Sequence, residues 1–514
     1  MANDFPGHRP KIVRHNRAVA AGRLGRNGDV VPDGYEGVAV SNVETARAAR
    51  GGGPLGRLDR KRVTALVCFA VSVVASIVLA VAGGTAGLWG LIPIVLYAVL
   101  ALLGVDVVLA TVGAVLVAAI MTRTAPIPLG EQLAESLGSL VAVIGLIILL
   151  GAGLGQVARE TGAAQTLVRM VMGRIGLSTQ TRVQAGVMVS SLIIVGALGT
   201  LAGGNAILAP VVIPIAARVG WRPPAVAAMF HAAGAAGLMM GPFTPPVVTI
   251  LAAAKLSYGA YFLHAGLPVG VVTLVTGFFM ARWIQKHTTQ EYTAADAADT
   301  EGDTPPTAAG RRAAWVFVGV LLLLAVYGIW QQAGYAYALV VMVVTAALTG
   351  LAGGLAPKAT LQAVYTGAAR LIWLFFLFWL LDPLLTLVEK TGAFETIFAA
   401  LKPVMPSVGP FVFLLLVVAL GYVHAVPGAA VAQIVLINKL FGPLVTALGV
   451  PATAWAVSLL GTAQIDQLGP YPTADMVGQM GLARSSDLRM MLFNGWAIMA
   501  VNTVGFCVLF AVLL

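Results

Sequence analysis

Residues 463–494 read AQIDQLGPYPTADMVGQMGLARSSDLRMMLFN, and this stretch decides the fold. The chain around it is almost wholly apolar, yet it holds Asp466, Asp475, several amides, Pro470 and Pro472. Proline lacks a backbone N–H, and its ring strains any helix that runs through it. Two apolar arms meeting at Gly469-Pro470-Tyr471-Pro472 leave backbone groups unpaired at membrane depth. Such a break is tolerated only where protein or a water-filled cavity covers it. Secondary transporters place substrate and ion sites at broken helices of this kind.

A weaker copy lies upstream. Gly241-Pro242-Phe243-Thr244-Pro245 precedes Gly469-Pro470-Tyr471-Pro472 by 228 positions. Thr161-Gly162-Ala163 matches Thr391-Gly392-Ala393 at 230, and Gly220 and Ser257 match Gly449 and Ser486 at 229. One glycine match means little in so glycine-rich a chain. A nearly constant offset points to a duplicated unit, at 137–285 and 366–514. The two units are expected to lie in opposite membrane orientations.

The chain has 514 residues, 59% hydrophobic and 10% charged, with mean hydropathy +0.91. An ordinary soluble domain carries about 25% charged residues, so this is a polytopic membrane protein. The net charge of +10 does not point to nucleic acid. Lys and Arg sit in the N-terminal tail and at the ends of apolar runs, the usual topology signal. Cys68 and Cys507 lie in apolar runs and suggest neither a disulfide framework nor a metal cluster. There is no Walker A sequence, no His/Glu zinc motif, and no Gly-x-Gly-Asp signature of aspartyl intramembrane proteases. No cofactor and no enzymatic activity are therefore expected.

In chain order, 1–62 reads as a disordered, basic cytoplasmic tail. The first apolar run begins at Val63, so no signal peptide is expected. Arg57, Arg60, Lys61 and Arg62 abut that run and place the N-terminus in the cytoplasm. Residues 63–136 are scaffold helices. The largely apolar run of 35 residues at 88–122 would be about 53 Å as one helix, too long for a ~30 Å bilayer core. A break at Gly104-Val105-Asp106 is expected, with Asp106 at an interfacial turn. In the first unit, Gly199 to Asn205 marks an unwound segment or a re-entrant tip. Residues 286–312 form an acidic cytoplasmic linker, 313–365 further scaffold helices, and 366–514 the second unit. The expected class is all-α and polytopic, with inverted repeats, re-entrant hairpins and about 10–12 spans of the cytoplasmic membrane.

The candidate ion-coupling groups are Asp466, Asp475, His231 and His424. An intramembrane carboxylate costs about 2.5–3.5 kcal/mol on insertion scales, and cation binding or protonation compensates. Asp466 is the candidate Na+ ligand. The alternative puts both acids near the membrane surface, with Asp475 capping a helix arm. Each histidine is either a proton-coupling group or a side chain packed between helices. Asn205 and Gln433 are 228 apart and are candidate equivalent amides, binding substrate or forming a helix–helix hydrogen bond. Thr200, Thr244 and Thr473 offer hydroxyls at the breaks, whose corner residues are Gly241, Pro242, Pro245, Gly469, Pro470 and Pro472. Arg484 is either an anion ligand or an interfacial anchor.

Two motifs, Gly-Gly-Asn-(x)4-Pro-(x)3-Pro at 203–214 and the hairpin from Gly241 to Pro246, resemble the ion transporter superfamily. The similarity is greatest to its gluconate-permease-like and Na+/H+-antiporter-like members, over roughly 90–285 and 315–514. That resemblance implies inverted repeats, a homodimer in the lipid bilayer, and Asn205, Thr244, Gln433, Asp466 and Thr473 in the site. The first hairpin has no acid where the second has Asp466 and Asp475, so a cation site is expected mainly in the second half. The expected function is Na+- or H+-coupled transport of a small organic anion. The alternatives are a Na+/H+ antiporter without organic substrate and, remotely, a membrane-embedded enzyme.

Overall fold

The computed structural model describes residues 60–83, 85–298, 306–401, 405–423 and 430–514. The expected tail at 1–59 and His424 lie outside these residues. The described residues are mostly helical, with no strand among them. Ten helices among them are long and apolar enough to cross a membrane, as expected of an all-α polytopic membrane protein.

The chain opens with α1 (Arg60–Ala82), α2 (Ile92–Leu102), α3 (Val107–Met121) and α4 (Pro126–Glu135). The expected break between α2 and α3 is present. Gly104 takes φ +84°, and the Asp106 carboxylate accepts from the N–H groups of Val108 and Leu109 at 3.0 and 3.1 Å. Such a cap is worth about 1 kcal/mol. There follow α5 (Leu140–Glu160), α6 (Ala163–Ile175), α7 (Gln180–Leu198), α8 (Leu201–Arg218), α9 (Pro223–Met240), α10 (Pro245–Ala254) and α11 (Leu267–His287). The linker holds the short α12 (Ala294–Ala298). Next come α13 (Ala308–Trp330), α14 (Tyr337–Ala352), α15 (Pro357–Ala369), α16 (Ile372–Lys390), α17 (Ala393–Leu401), α18 (Met405–Val423) and α19 (Ala430–Ala447). The chain closes with α20 (Ala452–Ala463), the single turn Ile465–Leu468, α21 (Ala474–Leu482) and α22 (Leu488–Leu513).

Between the two readings of 199–205, the unwound segment does not fit: α7 and α8 pack on each other across a tight turn. Only Gly199 and Thr200 leave the helix between α7 and α8, and Gly203, Gly204 and Asn205 form the first turn of α8. Gly204 serves packing rather than unwinding, because a Cβ there would stand 2.7 Å from Val195 Cγ2.

The offset seen in the sequence recurs in the element bounds. Helices α8 and α19 match at both ends with an offset of 229, and α9 and α10 begin 229 residues before α20 and α21. Left-handed backbone recurs at spacings of 229 or 230. Gly162 pairs with Gly392 (φ 71° and 77°), Gly220 with Gly449 (78° and 64°), and Lys255 with Arg484 (52° and 59°). The contacts between halves are reciprocal. The α10 arm packs on α20 and α19, while its counterpart α21 packs on α9 and α8. The equivalent helices α11 and α22 pack on each other. Within the most apolar window of Pro223–Ala254, 78% of residues are buried, against 11% for α1. The broken first hairpin is thus protein-covered, as its unpaired backbone requires.

Candidate functional site

Each break is stabilised by side chains that replace the lost helical donors. Pro242 cannot donate to the Leu238 carbonyl, and Pro245 cannot donate to that of Gly241. The Thr244 hydroxyl reaches both, at 2.6 and 3.1 Å. Tyr261 and Tyr258 donate their hydroxyls to the carbonyls of Met239 and Met240 at 2.8 and 2.6 Å. With the Gly241 N–H on the Gly237 carbonyl, every carbonyl from Gly237 to Gly241 is occupied. Gly241 must be glycine, because a Cβ would meet the Gly196 carbonyl oxygen at 2.3 Å.

The second break repeats the device and adds charge. Thr473 donates to the Gln467 carbonyl at 3.0 Å and accepts from the Met476 N–H at 3.1 Å. It is the cap of α21, so Asp475 is not; Asp475 lies half-buried in the first turn. There its charge is favoured by the helix dipole. Trp496 Nε1 donates to the Pro470 carbonyl at 3.0 Å. Asp466 sits in the turn before Gly469, half-buried, and its carboxylate accepts from the Ala430 N–H at 3.3 Å. Ala430 opens α19, so this acid lies at a positive helix end. Tyr97, Tyr471 and Asp475 all lie within electrostatic range of Asp466. The buried Tyr97 hydroxyl has no hydrogen-bond partner among the described residues. Sequence reasoning did not single out Tyr97; a lone phenol in the apolar run IPIVLYAVLAL was the available signal.

His231 ties the first arm to the second break. It is fully buried, with Nε2 2.9 Å from the Gln467 carbonyl and Nδ1 3.1 Å from the Asn494 amide nitrogen. An amide donating to Nδ1 leaves the proton on Nε2, which donates to Gln467; this assignment follows from the network. Asn205 also joins the halves. It accepts from the Ser191 hydroxyl at 2.7 Å and donates to the Phe230 carbonyl at 2.9 Å and to Gln479 Oε1 at 2.7 Å. Gln433 stays within its own half and donates to the Gly421 carbonyl at 3.0 Å. The offset of 229 places Asn205 opposite Ile434, so Asn205 and Gln433 are not structural equivalents. Thr200 is half-buried beside the first break and makes no capping bond. The corner prolines Pro245 and Pro472 flank the caps; Pro245 opens α10.

The structure therefore gathers Asp466, Asp475, Thr473, His231 and Tyr97 around the second break. It places Thr244 and Thr200 at the first, and leaves Gln433 apart. Among the described residues no three His, Cys, Asp or Glu side chains cluster to hold a metal ion. A cation at Asp466 would draw its other ligands from backbone, hydroxyl and amide oxygens, as Na+ sites of broken helices do. Arg484 pairs with Asp296 of the linker, so the chain itself supplies its anion.

A family profile described as "Tripartite ATP-independent periplasmic transporter, DctM component" matches residues 92–478. No curated protein matches the sequence significantly. Among solved structures, MtrF of Neisseria gonorrhoeae, described with a class of antimetabolite efflux pumps, is similar with a TM-score of 0.58 at 14% identity. The similarity covers 91% of this chain and 97% of that one. The YdaH transporter of Alcanivorax borkumensis, described as having an unusual topology, gives 0.54 at 17% identity, covering 76% and 89%. At these identities the two share the fold alone. The family match overturns the resemblance to gluconate-permease-like and Na+/H+-antiporter-like proteins. Glycine-proline helix breaks are a general solution among secondary transporters, so they marked an architecture and not that family.

Proposed function

The chain belongs to the DctM family of tripartite ATP-independent periplasmic transporters, and from that premise we propose that it carries a small organic anion across the cytoplasmic membrane, driven by Na+ or H+. It is a transporter, not an enzyme. A transporter that uses no ATP draws its work from a gradient, which makes a titratable or cation-binding group at a helix break the natural coupling element. The homodimer inferred from the earlier resemblance loses its basis with it. A tripartite family points instead to two further components.

The observation that carries the coupling reading is the asymmetry of the breaks. At the first, the carbonyls of Leu238, Met239, Met240 and Gly241 are all taken by hydroxyls. At the second, Thr473 again takes a freed carbonyl, but a carboxylate, Asp466, stands in the turn before Gly469, with Asp475 and a phenol that has no partner among the described residues nearby. Cation and proton would compete for Asp466. The repeated bounds and reciprocal packing support two units related by a local two-fold. An axis in the membrane plane makes them the inverted repeats on which alternating access rests. The basic residues before Val63 support a cytoplasmic N-terminus.

The test is uptake of labelled carboxylates into proteoliposomes holding the chain with its partner components, under imposed Na+ or pH gradients. Asp466→Asn keeps the shape and removes the charge. It should abolish gradient-driven accumulation and leave substrate exchange without a gradient. Full accumulation by the variant would remove Asp466 from the mechanism.

A further inference from the structure

Lys255 and Arg484 occupy the same place in the two halves and meet different fates. Each follows the second arm of its hairpin, α10 or α21, in left-handed backbone with φ 52° and 59°. The bonds that close the two arms match atom for atom. Leu256 N–H donates to the Leu251 carbonyl at 3.0 Å, and Ser485 N–H, 229 positions on, to that of Met480 at 2.8 Å. A long basic side chain in left-handed backbone is uncommon, and its recurrence at equivalent positions identifies one device used twice.

In the second half the device is closed by the protein. Asp296 of the linker pairs with Arg484. Tyr292 donates its hydroxyl to the Ala483 carbonyl at 3.0 Å, and Gln290 donates to the Arg484 carbonyl at 2.8 Å. In the first half no such strap arrives among the described residues. The Lys255 ammonium has no ion pair and no hydrogen bond among the described residues. It lines a cavity of about 420 Å³ instead, between the hairpin and the turn joining α13 to α14. That size lies within the range of small-ligand sites. The cavity wall includes Pro242 and Phe243 of the break itself, with Tyr258, Gln332 and Tyr335 as polar groups.

We propose that this cavity is a binding site for the carboxylate of a small organic acid, with Lys255 as the counter-ion. Asp296 on Arg484 is the internal picture of that contact, one carboxylate against the cation at the equivalent position. The aliphatic wall of Leu251 and Ala252 suits the carbon skeleton, and Gln332 and Tyr335 suit a hydroxyl or second carboxylate. A ligand here touches Pro242 and so bears directly on the break. The ligand's class rests on the anion-carrier reading above; the site rests on the cavity and the paired cations.

The experiment is lysine footprinting on the full chain in nanodiscs. Acetylation by sulfosuccinimidyl acetate is followed at Lys255 by mass spectrometry, with the exposed Lys286 as reference. The probes are pyruvate, lactate, succinate and glutarate, with dimethyl succinate as the uncharged control. At least one carboxylate should slow Lys255 about fivefold, the factor 1 + [L]/Kd at about four times Kd. Lys286 should be unchanged, and the ester should have no effect. Slowing by no carboxylate, or equal slowing by the ester, overturns the site. Uptake separates this from the transport reading. Normal uptake by Lys255→Gln, with Asp466→Asn defective, overturns the site and leaves the carrier standing. Protection of Lys255 in a chain that transports no anion keeps the site and overturns the carrier.

Discussion

Thr273 and its counterpart 229 residues on, Asn502, bond to each other: Asn502 Nδ2 donates to Thr273 Oγ1 at 2.9 Å. Asn502 also donates to Gln464 Oε1 at 2.8 Å, one residue before the turn that carries Asp466. The pair joins the two halves directly and links that contact by one amide to the charged break.

The caps should rank in stability. Thr473→Val removes both the α21 cap and the donor to Gln467, and should cost about 1–3 kcal/mol. Thr200→Val loses no capping bond and should stay within about 0.5 kcal/mol. Thermal unfolding of the purified variants in detergent compares them. Equal loss from both would refute the assignment of Thr473 as a structural hydroxyl.

The amide bridge between halves should be measurable as a coupling. A double-mutant cycle on Asn205→Ala and Gln479→Ala should return about 0.6–1.7 kcal/mol, the span for membrane side-chain hydrogen bonds. The same cycle on Gln433 and Gln479 should return nothing above error.

The linker contact should be pH-sensitive. Asp296 is almost fully covered, and burial raises its pKa. The Thr293 N–H and hydroxyl and the Arg484 guanidinium outweigh that and hold the carboxyl below the usual range. A depressed carboxyl contributes stability that is complete above its unfolded pKa and is lost as pH falls through the folded one. Amide exchange of 290–298, corrected for intrinsic rate, should stay flat from neutrality down to about pH 4 and rise below it. In Asp296→Asn it should be raised at neutral pH and lack the acid step.

Two glycines should answer oppositely to alanine. Gly241→Ala drives a Cβ into the Gly196 carbonyl oxygen and should prevent accumulation of folded protein in the membrane. Gly130→Ala, in α4 with open space around it, should be neutral or stabilise by up to about 1 kcal/mol. Fluorescence-detected size exclusion of tagged variants reads both.

The backbone breaks were legible in the sequence because their cause is local. Pro242, Pro470 and Pro472 lack a donor whatever surrounds them, and a largely apolar run of 35 residues from 88 to 122 exceeds a bilayer wherever it lies. The offset of 228–230 was visible in the sequence because glycines and prolines that set backbone angles carry it, and the helix bounds show 229 again. Gly203 and Gly204 left two readings open, because glycine permits both unwinding and close helix contact, and only the position of Val195 decides between them. The family was not legible either, since a broken helix answers to hydrogen bonding and not to ancestry. The rest needed tertiary structure. Which hydroxyl takes which freed carbonyl, that Asn205 bridges to Gln479 while Gln433 does not, and that Asp296 neutralises Arg484 and leaves Lys255 to a cavity are all contacts between distant parts of the chain. No local pattern encodes them, because a side chain's partner is set by what packing brings within about 3 Å of it.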